Sequence, residues 1–283
     1  MHKNTFFSKR ATINCGGHLL DLSTPKIMGI LNITPDSFFD GGRYLDEQAI
    51  VEQSGKMLDD GASIIDVGAY SSRPNAIDIS AKEEIDRLLP ALTLIKENYP
   101  NAIISVDTFR SEVAEAGIKA GGHIINDISA GELDGKMFET VSRLQVPYIL
   151  MHMRGTPQTM QQLTDYNDLM REVVKYFVDK VTRLKKLGVH DLILDPGFGF
   201  AKNIDQNYEL LKHMDEVKIF DLPLLAGLSR KSMIWKLLES KPEEALNGTS
   251  VLNTIALQKG AAILRVHDVK EAAEVLKIWM KVG

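Results

Sequence analysis

The chain has 283 residues, 44% apolar and 25% charged, with a formal net charge of −5. That is a soluble globular profile at the size of one α/β barrel (~250 residues), and it argues against nucleic-acid and membrane-surface partners. The single cysteine, Cys15, excludes an internal disulfide. No apolar run approaches the ~18 residues of a membrane span, and the opening residues lack the apolar core of a signal peptide, so a cytoplasmic protein is expected.

Residues 12–22 read as a small hairpin turning at Gly16-Gly17, placed to cap the bottom of a barrel. In 27–42, IMGILNITPDSFFDGG, a short apolar run reads as a strand buried on both faces. It delivers Asn32 to its carboxyl end, and Pro35 with Gly41-Gly42 then makes a polar loop.

The plan repeats. Gly61 precedes SIIDV, Gly122 precedes HIIND, Gly188 precedes VHDLILD and Gly260 precedes AAILRVH. Each glycine suits the left-handed position just past a helix end. AIISVD (102–107), PYILMH (147–152) and PLLAG (223–227) complete eight strands. Between them, Ala81–Asn98 and 166–187 carry apolar residues at helical spacing. Strand–helix alternation implies parallel strands and crossovers. The expected architecture is one (β/α)8 TIM barrel domain over 1–283, its first 24 residues forming the N-terminal hairpin region. An open doubly wound sheet is the alternative.

Polar residues close every strand. They are Asn32; Asp66, followed by Tyr70-Ser71-Ser72-Arg73-Pro74; Asp107; Asn126-Asp127; Met151-His152-Met153-Arg154; Asp195 with the Pro-Gly-Phe-Gly-Phe turn to Phe200; Ser229-Arg230-Lys231; and Arg265 with His267. In a barrel these ends form the active-site face. Packing alone has no use for them, since an unpaired buried polar group costs ~1–3 kcal/mol. Taken singly, Asp195 also reads as a turn residue, Asn126 as a helix cap and Phe200 as a filler of a Gly-rich turn. Arg230 and Lys231 fall at an expected helix start, where cations oppose the dipole, which favours a functional reading. The residues by themselves describe a barrel enzyme handling an anionic, donor-rich substrate.

LNITPDSFFDGG, SSRP, SVDTF, INDI, LMHM, DPGFGF, LSRKS and RVHD occur in this order from Ile27 to the end of the chain. The chain thereby resembles the dihydropteroate synthases of the pterin-binding barrel family. The resemblance implies a transferase that joins 6-hydroxymethyl-7,8-dihydropterin diphosphate to 4-aminobenzoate, releasing diphosphate and 7,8-dihydropteroate. It places the pterin against Asp107, Asn126, Met151, Asp195, Lys231 and Arg265. It places the diphosphate against Asn32, Ser72, Arg73, Arg265 and His267, with Asn32 as a ligand of Mg2+. The aminobenzoate falls to Ser72, Pro74, Gly199, Phe200, Lys231 and the backbone N–H of Ser232. Asp107, Lys231, Arg265 and His267 form the implied catalytic set. Homodimerisation through 243–258 and 270–280 is implied as well. Loops 34–44 and 69–77 are expected to order over the substrates.

One departure is plain: the family usually has Glu-Ser-Thr where this chain has Tyr70-Ser71-Ser72. The competing readings are a folate-dependent methyltransferase on the same barrel and a non-catalytic pterin-binding homologue. The first would not need LSRKS and RVHD arranged for a diphosphate, and the second would have lost the anion-site residues.

Overall fold

The computed structural model describes residues 12–33, 43–71 and 78–282, with side chains of the first helix from Glu47 onward. A short hairpin, β1 (Thr12–Cys15) and β2 (His18–Asp21), precedes the barrel. The barrel then runs β3 (Lys26–Asn32), α1 (Arg43–Asp59), β4 (Ile64–Gly68), α2 (Ala81–Asn98), β5 (Ile103–Asp107), α3 (Ser111–Lys119), β6 (Ile124–Asp127), α4 (Met137–Leu144) and β7 (Tyr148–Met151). It continues with α5 (Leu169–Lys186), β8 (Leu192–Asp195), α6 (Ile204–Lys212), β9 (Leu225–Ala226), α7 (Ser232–Trp235), α8 (Leu246–Gln258), β10 (Ile263–Val266) and α9 (Val269–Val282).

The eight barrel strands form one parallel sheet in the order β8-β7-β6-β5-β4-β3-β10-β9. A parallel bridge between Leu194 and Leu224 joins its two ends, with Leu194 N–H donating to Pro223 O at 2.9 Å. Closure selects the barrel over the open doubly wound sheet.

Side chains alternate along each strand, so one set points outward to the helices and the other into the barrel. The outward set, with Ile65, Val67, Ile104, Val106, Leu150 and Leu264, packs against buried helix residues such as Leu88, Leu92, Val173 and Phe177. The inward set begins with an apolar floor of Met28, Ile64, Ile124, Ile149, Ile193, Leu225 and Ile263. Ile13, Cys15, Leu20 and Leu22 pack against this floor from below, so the hairpin plugs the amino end of the barrel. The backbone N–H of Asn14 fastens it by donating to Asp191 Oδ2 at 2.9 Å.

Helix α2 begins and ends where its periodicity places it, capped by Ser80, whose hydroxyl accepts from Glu83 N–H at 3.1 Å. Helix α5 starts later than the apolar spacing of 166–187 suggests, because Asp168 caps it by accepting from Arg171 N–H. β8 and β9 are shorter than the runs VHDLILD and PLLAG. Gly61, Gly188 and Gly260 take the expected left-handed conformation, but after α3 that role falls to Gly121 (φ +104°). Gly122 is needed for space instead: a methyl group there would lie 2.7 Å from Val106 Cγ2 and 2.9 Å from Gly117 O.

If the hairpin stabilises the barrel from below without touching its mouth, Ile13→Ala should cost about 2–5 kcal/mol, the range for truncating a buried aliphatic side chain. Urea denaturation measures the loss, and both substrate KM values should stay at wild-type levels.

Candidate active site

Six inward positions of the cup stand two residues beyond a floor residue, and Asp107 stands two beyond the buried Ser105. Asp66 follows Ile64, Asn126 follows Ile124, Met151 follows Ile149, Asp195 follows Ile193, Gly227 follows Leu225 and Arg265 follows Ile263. In the strand register Asn32 pairs with Gly68, Gly68 with Asp107, Asp107 with Asn126, and Met151 with Asp195, while Asn126 also pairs with Ile149 and Arg265 with Met28 of the floor. Period-two alternation in a closed sheet therefore turns polar strand ends into a second layer above an apolar one.

Arg265 is the hub. Its Nε donates to Asp66 Oδ2 at 2.6 Å, its Nη2 donates to Asp107 Oδ2, and Asn126 Nδ2 donates to the same Asp66 oxygen at 3.0 Å. Asp66 Oδ1 is buried and lacks a hydrogen-bond partner among the described residues. Burial works against the Arg265 charge, but Asp66 and Asp107 outweigh it and raise its pKa. Burial lifts Asp107 to about 7; Arg265 opposes that rise, and the nearby carboxylates add to it.

The other half of the cup gathers around Gly227. A methyl group placed there would lie 3.8 Å from Lys231 Nζ, 4.0 Å from Arg265 Cβ and 4.0 Å from Asp195 Oδ2. Lys231, at the start of α7, also donates to Phe198 O, and its ammonium lies 4.9 Å from the Phe200 ring centroid. Burial lowers Lys231 to about 8, with Asp195 acting in the opposite sense. Asp195 is buried, which raises its carboxyl pKa against the pull of Lys231. Its Oδ1 accepts from Gly197 N–H at 2.8 Å, so it is both the turn residue and the cup residue that the sequence left as alternatives.

Asn126 caps no helix; its amide points to Asp66. Asn32 and Ser232 lie part-exposed at the same rim, at the end of β3 and the start of α7. His267 follows β10 and is exposed, and its backbone N–H donates to Ser229 Oγ at 3.2 Å. Met151 is buried beside Ile128, Met153, Met160 and Ala201, and Phe200 packs on this group with its ring part-exposed. Gly199 (φ +80°) would bring a methyl group to 3.2 Å from Lys231 Cδ. Ser72, Arg73 and Pro74 lie outside the described residues, as do 34–42 and 72–77 of the two expected loops.

Two expected participants are elsewhere. Arg230 turns away (φ +53°) and forms a two-point ion pair with Asp268 at 2.8 and 2.9 Å, with further bonds to Pro242 O and Glu243 O. Its helix-start position therefore reflects a structural tie, not substrate binding. Asp127 points outward, accepts from Ser129 and Gly131 N–H and from the Tyr148 hydroxyl, and builds the turn after β6. Asp66 is the residue to which the motif reading gave no role. The signal was available: a carboxylate two places beyond Ile64 in a strand buried on every side.

Such a cup, dry below and lined above by fixed carboxylates, an amide and two cations, defines a barrel enzyme for a compact ring rich in donors and acceptors. The pterin binding enzyme family matches residues 28–267. The dihydropteroate synthase of Escherichia coli K12 is 45% identical over 264 residues, 93% of each chain. That of Synechocystis is 43% identical over 255 residues, covering 89% of this chain and 88% of its own. The Yersinia pestis dihydropteroate synthase, solved with a sulfonamide drug complex, superposes with a TM-score of 0.90 at 41% identity, covering 96% of this chain and 98% of its own. The Xanthomonas albilineans enzyme in complex with 7,8-dihydropteroate gives 0.86 at 34% identity with the same coverage. The chain belongs to the pterin binding enzyme family and, within it, to the dihydropteroate synthases, transferases of folate biosynthesis.

Lys231 has a consequence for pH. Its proton is lost as pH rises through about 8, so kcat/KM for the pterin substrate, which reports the free enzyme, should fall on an alkaline limb near that value. In Lys231→Arg, whose cation persists, this limb should vanish even though the overall rate drops.

Proposed function

We propose that the chain condenses 6-hydroxymethyl-7,8-dihydropterin diphosphate with 4-aminobenzoate. The amine nitrogen bonds to the methylene carbon as the C–O bond breaks. Diphosphate departs with that electron pair, the nitrogen gives up a proton, and 7,8-dihydropteroate forms. The observation that carries this reading is the convergence of Asp195, Lys231 and Arg265 around the bare backbone of Gly227.

A pterin presents a guanidine-like edge, and Asp195 can accept two parallel hydrogen bonds from it. Asn126, already oriented by Asp66, takes the neighbouring ring atoms, and Met151 lies beside them. Lys231 reaches the ring carbonyl and N5. Arg265 lies over the ring face, its guanidinium prevented from rotating by Asp66 and Asp107. Asp107 faces the cationic character that develops at the methylene carbon and spreads into the ring. An aromatic amine attacks without prior deprotonation, so catalysis rests on orientation and fixed charge.

His267 and Asn32 at the rim take the diphosphate, together with Arg265, Ser72 and Arg73. Among the described residues no three His, Cys, Asp or Glu side chains gather as a metal site. Asn32, part-exposed at the end of β3, would offer its amide oxygen to Mg2+, with the diphosphate oxygens as the other ligands. When bound, the ion would neutralise charge on the leaving group. The aminobenzoate ring packs between Phe200 and Pro74, beside Gly199, Ser72 and the Lys231 stem. Its carboxylate meets the N–H of Ser232.

Exposed Val251 and Ile278 on α8 and α9 favour a homodimer through those helices. The lone, buried thiol of Cys15 suits the reducing cytoplasm.

Incubation with the pterin diphosphate, labelled aminobenzoate and Mg2+ should yield dihydropteroate and diphosphate in equal amounts. Asp195→Ala should abolish pterin binding by calorimetry; retained affinity would overturn the assignment of the cup. Sulfonamides, which match the aminobenzoate in shape and charge, should inhibit competitively against it, and inhibition insensitive to aminobenzoate concentration would contradict its placement.

A further inference from the structure

The turn after β8 is held from two sides. Towards the cup, Lys231 donates to Phe198 O. On the far side stands Lys202, only 5% exposed, whose ammonium donates to Gly197 O at 2.9 Å and Phe200 O at 3.0 Å and lies 3.0 Å from His152 Nδ1. Burial lowers the Lys202 pKa to about 7, with Asp195 acting in the opposite sense, and in its charged form the three N–H donors match these three acceptors. His152 is buried just past β7, edge-on to Tyr176 at 4.9 Å. Burial and the neighbouring cations hold its pKa well below the usual imidazole value, so the ring is neutral and Nδ1 can accept.

The turn leaves little slack elsewhere. At Gly197 (φ +76°) a methyl group would stand 2.0 Å from His152 O, so the backbones of the two strand ends touch. Gly199 N–H donates to Asn207 Oδ1 at 2.6 Å, and Asn207 Nδ2 returns a bond to Lys202 O at 3.2 Å. Asp195 belongs to β8 itself and needs only the Gly197 N–H to orient it. Phe200 lies beyond the strand, and the Lys202 bond to its carbonyl ties it back to Gly197. A buried lysine aimed wholly at backbone carbonyls and an imidazole is a poor packing solution, since methionine would fill the same space without a charge to desolvate.

We infer that Lys202, backed by His152, is a positioning residue for the amine substrate. By fixing the carbonyls of Gly197 and Phe200 it sets the aromatic wall against which the aminobenzoate ring packs. Asp195 and Asn126 on their strands, and Lys231 at the start of α7, keep the pterin contacts without it. The inference rests on the reaction proposed above and adds to it a residue that touches neither substrate.

Lys202→Met removes all three donors at similar length. His152→Phe keeps the ring and removes only the acceptor. His152→Asn offers an amide oxygen in place of Nδ1. In Lys202→Met the KM for aminobenzoate should rise ~10-fold or more, as expected when a reacting partner loses its alignment, while the KM for the pterin diphosphate should stay within about twofold. His152→Phe should shift the same constant in the same direction, and His152→Asn should restore it towards wild type. Amide exchange at Phe198, Gly199 and Phe200 should quicken in both impaired variants, with strand amides unchanged.

A merely structural lysine would lower thermal stability and the active fraction but leave the aminobenzoate KM alone; that result overturns the inference. So does an equal rise in both KM values. If Lys202→Met does not fold, His152→Phe decides by the same two KM values. Wild-type protein that makes no dihydropteroate sinks the reaction assignment instead. Amide exchange then still decides whether Lys202 fixes the turn, and unchanged exchange in the folded variants overturns it.

Discussion

A cation clamped between two carboxylates inside a closed sheet is the constraint on which the rest of this molecule depends. Arg265 on β10 reaches Asp66 on β4 and Asp107 on β5, and Asn126 on β6 completes the set through Asp66. None of these side chains could be taken out of water alone. Removing one member of such a cluster leaves a charge stranded in a low dielectric, at a cost of roughly 3–5 kcal/mol. The cluster therefore favours barrel closure and the strand register together, since a slip of one residue would turn every polar group outward among the helices. The same tie holds the guanidinium plane still, so the site reaches its working geometry before a ligand arrives.

Most of the fold could be read from periodicity because period two along strands and 3.6 along helices follow from backbone geometry alone. Ile64 and Asp66, or Ile263 and Arg265, announce floor and cup by spacing. What could not be read were ties made between distant segments. Arg230 looks like an active-site cation until Asp268, between β10 and α9, is seen to neutralise it. Lys202 looks like an ordinary surface lysine beside a Gly-rich turn. Only the fold shows that β7 and β8 lie side by side and put His152 beside it. Gly121 and Gly122 are indistinguishable in the sequence, yet one supplies a left-handed backbone and the other supplies room. The motifs named most of the residues that the fold brings to the cup, but Asp66, which bonds Arg265 and Asn126, escaped them.

The two ends of the barrel are built on opposite principles. Below, Ile13, Cys15, Leu20 and Leu22 make a closed apolar plug that needs only shape and water exclusion. Above, nearly every group is polar and committed to a partner, although Asp66 Oδ1 and the neighbouring Ser105 Oγ are buried without a hydrogen-bond partner among the described residues. Apolar packing supplies stiffness and low dielectric, and the polar layer makes use of both: a fixed dipole in a dry cup acts on a developing charge without first having to reorient.

The bare backbone at Gly227 sets a limit on how this protein can change. Asp195, Lys231 and Arg265 lie 3.8–4.0 Å from the spot where its side chain would begin. A side chain added there would fill the space that these three groups share, and so take room from the natural guest along with any competitor. Change at this spot therefore costs the protein its own fit, which makes the deepest recess of the barrel a durable point of attack.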